Sequence, residues 1–294
     1  MTTHFGELLT AMVTPFDDNL NVNMTKVKEI SRYLVNNGSD GLVVLGTTGE
    51  VPSLNEKEKI SILETVVDEV GDEAKIIAGT GSYSTFESIE MTEKAEEIGV
   101  DGIMLVGPYY NKPPQRGLYN HFSLIAEKTS LPVMIYNVPG RTSRNIEPET
   151  IKKLSKVDNI IAVKEASGDI AQISQISRMV DNDFYIYSGD DKLTLPTLSV
   201  GGQGVVSVAA HIAGNEIKEM IQAYKNNDIE KAAALNSNLE PVFSGIFIDT
   251  NPIPIKAAMN MKGFEVGTLR PPLIEIKDKD KKELRNIMED KDLL

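Results

Sequence analysis

Ile160-Ile161-Ala162-Val163-Lys164-Glu165-Ala166 sets four apolar residues directly before a lysine. A run of that length that does not alternate with polar residues reads as a strand covered on both faces, the mark of a parallel sheet. Most lysines lie on solvated helix faces, whereas this one is carried toward an interior. Burial raises the cost of the ammonium form and lowers the pKa, which creates a neutral amine nucleophile. The alternative is a structural lysine paired with a carboxylate such as Glu165.

Outward from this stretch, similar runs recur at Leu8–Val13, Leu42–Leu45, Ile76–Ala78, Ile103–Val106, Val133–Tyr136, Phe184–Tyr187 and Val205–Val208. With Ile160–Val163 they make eight strand-length segments, most of them rich in β-branched residues. Segments of helical period separate them, such as Met24–Asn37 with Met24, Val27, Ile30 and Leu34 on one face, and Glu56–Val70. Asn55 and Asp169 stand where helix N-caps belong. Eight strands alternating with helices predict an α/β fold closed as a (β/α)8 TIM barrel, with a doubly wound open sheet as the competitor. The dinucleotide fingerprint expected of the open sheet is missing. Gly79-Thr80-Gly81 lacks the third glycine, and Gly201-Gly202-Gln203-Gly204 precedes a strand instead of following one. After Val208 the strand rhythm stops, and Ile212–Lys225, Ile229–Ser244, Pro254–Met261 and Lys281–Met288 read as helices. The chain therefore divides into a catalytic barrel over 1–222 and a C-terminal helical region over 223–294 packed on it.

Composition narrows the chemistry. The 294 residues carry 43 acidic and 30 basic side chains, a net charge of -13, which argues against a nucleic-acid partner. There is no cysteine, so disulfides, thiolate nucleophiles and cysteine metal sites are excluded. His4, His121 and His211 have no ligand spacing, and neither a metal nor an organic cofactor is expected. Met1 to Gly6 has no signal-peptide character, and no apolar run approaches the roughly 18 residues of a membrane span. No membrane partner and a cytoplasmic location are expected.

Chemistry in such a barrel belongs to the C-terminal ends of strands. Gly46-Thr47-Thr48-Gly49-Glu50 offers backbone amides that can converge on a carboxylate, or else a plain polar turn. Pro108-Tyr109-Tyr110-Asn111-Lys112-Pro113-Pro114 supplies a phenol for proton transfer or an aromatic pair for a subunit contact. Tyr136-Asn137-Val138-Pro139-Gly140-Arg141-Thr142 puts a tyrosine at a strand tip and an arginine, the natural carboxylate clamp, in the turn beyond it, where a surface arginine is the plainer reading. Ser188-Gly189-Asp190-Asp191 suits a helix cap or a divalent ion. A buried lysine, a tyrosine one strand earlier and a carboxylate-binding loop opposite suggest Schiff-base chemistry on a keto acid.

Over essentially its whole length the chain resembles the 4-hydroxy-tetrahydrodipicolinate synthase (dihydrodipicolinate synthase) family of pyruvate-dependent class I aldolases, within the N-acetylneuraminate lyase superfamily. Gly46–Glu50, Ala78–Gly81, Pro108–Lys112, Tyr136–Thr142, Val163–Ala166, Ser188–Asp191, Gly201–Val208 and Asn251–Lys256 carry the resemblance, in order. It implies a lyase that condenses pyruvate with L-aspartate 4-semialdehyde on the route to diaminopimelate and lysine, without a cofactor or metal. Lys164 would form the imine. Thr47 and Thr48 would hold the pyruvate carboxylate, and Tyr136, Thr47 and Tyr110 would relay protons. Arg141 would bind the carboxylate of the semialdehyde, and Gly189 and Val206 would line the pocket. The resemblance further implies a homotetramer, a dimer of tight dimers, in which Tyr110 crosses the tight interface. Lyases for N-acetylneuraminate or 2-keto-3-deoxy sugar acids are the runner-up, disfavoured by Arg141, and an inactive keto-acid-binding scaffold is the remote alternative. Members inhibited by lysine often carry histidine and asparagine where this chain has Glu56, Lys59 and Tyr83, while Glu87 and Tyr109 match; weak or absent lysine inhibition is expected.

Overall fold

The computed structural model describes residues 4–294. The expectation drawn from Met1 to Gly6 therefore falls partly outside the described residues. Eight strands, β1 (Leu8–Ala11), β2 (Gly41–Val44), β3 (Lys75–Gly79), β4 (Gly102–Val106), β5 (Val133–Asn137), β6 (Ile160–Glu165), β7 (Tyr185–Ser188) and β8 (Gly204–Ser207), pair in sequence order, all parallel. Pairing of β1 with β8 closes the barrel. The predicted TIM barrel is the observed architecture, and the open sheet is excluded.

Strand parity divides the core into two layers. Leu9, Ala11, Val43, Ile77, Met104, Met134, Tyr136, Ala162, Tyr187 and Val206 fill the barrel interior. Residues of the opposite parity, including Leu8, Leu42, Ile76, Ile103, Ile135 and Val163, pack outward beneath the helices. Both faces are dry, which is why the strands read as unbroken apolar runs. The helices take their expected places. Asn55 accepts from the Glu58 amide while the Glu58 carboxylate accepts from the Asn55 amide, a reciprocal cap that starts Glu56–Val70. Asp169 accepts from the Ala171 and Gln172 amides to start Ile170–Met179.

Local differences from the sequence reading have simple causes. The strand expected over Ile160–Val163 continues through Glu165, because Lys164 and Glu165 pair with Tyr136 and Asn137 on one side and Tyr187 and Ser188 on the other. Polar side chains hid two residues of strand from a pattern based on apolarity. Short helices at Pro139–Thr142 and Thr194–Ser199 are single turns too brief to show a period. The helix Ala210–Lys225 runs unbroken past residue 222, with a kink at Ala213. Two further helices, Ile229–Gly245 and Ile253–Met261, pack on it, and a third, Asp278–Asp290, packs on both of these. Among the described residues no helix is long and apolar enough to cross a membrane.

Closure needs the β1 and β8 backbones in close approach. A Cβ built on Gly204 lies 1.9 Å from the Glu7 carbonyl oxygen, backbone that cannot step aside without opening the seam. Gly204→Ala is expected to cost on the order of 3 kcal/mol, read as a fall in Tm of roughly 5 °C or more. An unchanged melting curve would show that the seam tolerates slack.

Candidate active site

Parity along β6 decides what Lys164 can do. Lys164 shares a face with Ala162 and points inward, while Glu165, one residue on, faces the helices. Glu165 accepts from Asn137 Nδ2 at 2.9 Å, Gln172 Nε2 at 3.1 Å and the Ser167 amide at 2.7 Å. It is therefore committed elsewhere, and among the described residues Lys164 has no ion pair. The structural-lysine reading fails on this geometry.

The Lys164 ammonium position is 5% exposed and 4.2 Å from the centre of the Tyr136 ring. Burial holds its pKa down to about 7; Asp191 opposes the shift and Arg141 adds to it. Half of such amines are neutral near pH 7 without any partner to take the proton. Asp191 is buried below the site, where it accepts from the Ser207 hydroxyl and from the Val208 amide at 3.0 Å, and burial raises its own pKa. Asp190 instead caps the turn Asp191–Leu193 by accepting from the Lys192 amide. Gly189 lies against the lysine stem: a Cβ there would stand 3.1 Å from Lys164 Cε and Cγ. Val206 is buried in the same interior layer.

On Tyr136 opens a cavity of about 390 Å³ whose lining also includes Thr47, Met104, Arg141 and Asn251. Tyr136 is buried, and burial raises its pKa against the opposing pull of Arg141 and of a hydrogen bond with Thr47. The Gly46–Glu50 turn is closed by the Gly49 amide donating to Gly46 O and the Glu50 amide donating to Thr47 O, each at 3.1 Å. Among the described residues, the Thr47 and Thr48 amides have no hydrogen-bond acceptor. Two free N–H groups beside two hydroxyls suit a carboxylate.

Asn251 had no role in the sequence reading although it opens a matching segment. It is buried, donates from Nδ2 to Thr48 Oγ1 at 3.0 Å, and its carbonyl accepts from Arg141 Nη2 at 3.0 Å. It thus joins the threonine turn to the arginine across 110 residues of chain. Arg270, Pro271 and Leu273, which also line the cavity, were missed outright because they come from a C-terminal loop with no local pattern. Thr47, Tyr136 and Arg141 line the cavity; Lys164 meets it through Tyr136, Gly189 packs on the lysine stem, and the buried Thr48 and Val206 join this cluster. Tyr110 does not: it is 93% exposed, with φ 67°, on the loop after β4. Its neighbour Tyr109 is half-buried, edge-on to Tyr83 with ring centres 5.4 Å apart. Tyr109, Glu56, Lys59 and Glu87 border an adjoining cavity that shares Val51, Pro52, Gly79, Gly81 and Tyr109 with the first, and there Glu56 is paired with Lys94 at 2.7 Å.

Residues 4–291 match the Dihydrodipicolinate synthetase family. The chain is 57% identical over 294 residues to a 4-hydroxy-tetrahydrodipicolinate synthase of Desulforamulus reducens, covering 100% of this chain and 99% of that one. Among solved structures, that of the synthase from Cyanidioschyzon merolae with lysine bound superposes with a TM-score of 0.97 at 43% identity, over 99% of both chains. The chloride-inhibited synthase of Acinetobacter baumannii, complexed with pyruvate, gives a TM-score of 0.96 at 32% identity, over 99% of this chain and 100% of that one. Agreement at this level, from the first described residue to the last helix, reaches well past a shared barrel: the chain belongs to the dihydrodipicolinate synthetase family.

Proposed function

We propose that the protein is a lyase that condenses pyruvate with L-aspartate 4-semialdehyde through a Schiff base on Lys164, the 4-hydroxy-tetrahydrodipicolinate synthase reaction. The observation that carries this reading is the unpaired, desolvated Lys164 amine packed on Tyr136, which lines an open cavity. The neutral amine attacks the keto carbon and water leaves, giving an iminium that acts as an electron sink. The methyl group then loses a proton to form an enamine, which attacks the aldehyde carbon. The amine of the semialdehyde displaces Lys164 as the ring closes.

In this reading the Thr47 and Thr48 amides and hydroxyls take the pyruvate carboxylate, and Tyr136 moves protons at the imine. Thr47 links Tyr136 to Tyr110 of a second subunit, so that the relay excludes free water. The exposure of Tyr110 in a single chain suits a residue that completes its neighbour's site across a tight dimer interface, and two such dimers would form the tetramer. Arg141 takes the carboxylate of the semialdehyde; its reach to the cavity edge, tethered by Asn251, supports that role. Gly189 leaves room for the lysine stem, and Val206 closes the wall behind it.

Borohydride added with pyruvate should leave a covalent adduct on Lys164, seen by mass spectrometry of the peptide. Lys164→Ala should abolish both adduct and turnover while leaving Tm unchanged or higher, since burying an amine is unfavourable. Turnover with N-acetylmannosamine or glyceraldehyde in place of the semialdehyde would move the chain to a sugar-acid lyase, and no adduct at all would defeat the mechanism. A second check is the pH profile. The amine must be neutral to attack, so kcat/KM for pyruvate should fall about tenfold per unit below the Lys164 pKa of about 7 and level off above it. A profile flat through that range contradicts the assignment.

The adjoining cavity by Tyr109 tests regulation. Lys59 and Lys94 border it together with Glu56, Glu87 and Glu90, and Glu56 is paired with Lys94, in place of the histidine and asparagine that lysine-inhibited members often carry. Free lysine should inhibit weakly or not at all; half-loss of activity at sub-millimolar lysine would contradict this.

A further inference from the structure

The proposed chemistry leaves unused two charges buried beside the cavity. Glu50 ends the threonine turn and Lys256 lies on the helix Ile253–Met261; their side chains are each 1% exposed and 2.8 Å apart. Glu50 Oε1 accepts from Lys256 Nζ, and Oε2 accepts from the Arg270 amide at 3.0 Å. Lys256 also donates to Thr268 O at 2.7 Å and sits 4.1 Å from the centre of the buried Phe16 ring. Arg270 covers the same ring at 4.5 Å and goes on to Glu58 and to the carbonyls of Leu20 and Ser53. One carboxylate is therefore gripped from two C-terminal segments.

Stability alone does not account for this arrangement. Taking both charges out of water is costly, and burial draws Lys256 down to about 8 even with Glu50 beside it. Apolar groups of similar volume often stabilise as well as such a pair or better. What the pair supplies is direction. Glu50 is a non-glycine residue held at φ 54°, in the left-handed region, and its amide donates to the carbonyl of Thr47. Fixing the Glu50 carboxylate fixes that residue and, through the Thr47 carbonyl, the peptide plane that carries the free Thr48 amide; the Thr47 amide shares its plane with the Gly46 carbonyl, which the adjacent Gly49 amide holds. Asn251, just before the same C-terminal helix, holds the turn a second time through Thr48.

We infer that Glu50 and Lys256 are positioning residues for keto-acid binding: their ion pair, braced by Arg270, locks the Thr47–Thr48 turn in the geometry that receives the substrate carboxylate, so the C-terminal helices complete the site. This rests on the reading that pyruvate docks its carboxylate on that turn and forms an imine on Lys164.

The test compares Glu50→Gln, Lys256→Met and the double variant with the wild type in the full chain. Each single variant should lose Tm, because one charge is left buried without its partner, and raise KM for pyruvate about tenfold, the equivalent of about 1.4 kcal/mol of binding. kcat at saturating pyruvate and KM for the semialdehyde should stay within about twofold. The double variant separates positioning from structure: it should regain most of the Tm, with no lone charge left, yet keep the raised KM for pyruvate. A double variant with wild-type KM overturns the inference. Where the double variant does not fold, Glu58→Gln decides. It keeps the helix cap but removes the ion pair that braces Arg270, and an unchanged KM for pyruvate there overturns the inference as well. Borohydride trapping of the wild type with pyruvate is the control. Absence of the wild-type adduct removes the underlying reading, whereas a trapped wild type with unaltered variants removes this inference alone.

Discussion

Desolvation of a single amine organises the molecule. Lys164 sits inside a ring of eight paired strands, with Ala162, Met134 and Tyr187 as neighbours in the same layer and no carboxylate within ion-pair distance among the described residues. Water would hold that amine protonated; the apolar barrel does not, and Asp191, the buried acid whose charge acts on it, spends its oxygens on Ser207 and on the amides of Val208 and Ala209. Had Asp191 or Glu165 been free to pair with the lysine, the amine would keep its proton and lose its nucleophilicity.

The anion-binding parts stand around this amine at the C-terminal mouth of the barrel, each fixed by a distant piece of chain. The threonine turn after β2 is held at Glu50 by Lys256 and at Thr48 by Asn251, and Arg141 after β5 is held by Asn251 as well. This division of labour gives the C-terminal helices a chemical meaning. They are joined to the barrel through polar contacts of fixed geometry at its open end as well as through apolar packing, and in the proposed reading this ties them to substrate placement as well as to burial.

Much of this was legible in the chain. Eight doubly buried parallel strands must be apolar on both faces, so they announce themselves without any alignment, and a lysine at the end of one conflicts with everything around it. Tyr136 and Arg141 could be found because strand ends in a barrel point to one face. Asn251, Arg270 and the Glu50–Lys256 pair left no comparable mark. Lys256 lies in an ordinary helical period and Arg270 in a loop, and what makes each of them matter is a contact across more than 200 residues of sequence.

By itself the sequence determined the barrel, through the spacing and apolarity of its strands, and singled out Lys164 as the amine proposed to react, through a charge set in a run that excludes water. Only the tertiary structure decided which way Lys164 and Glu165 face, since that follows from pairing on both sides of β6 and not from order along the chain. It alone also brought Asn251, Lys256 and Arg270 to the mouth of the barrel. Hydrogen bonds and ion pairs act over about 3 Å in space, and their partners carry no periodicity by which sequence could connect them.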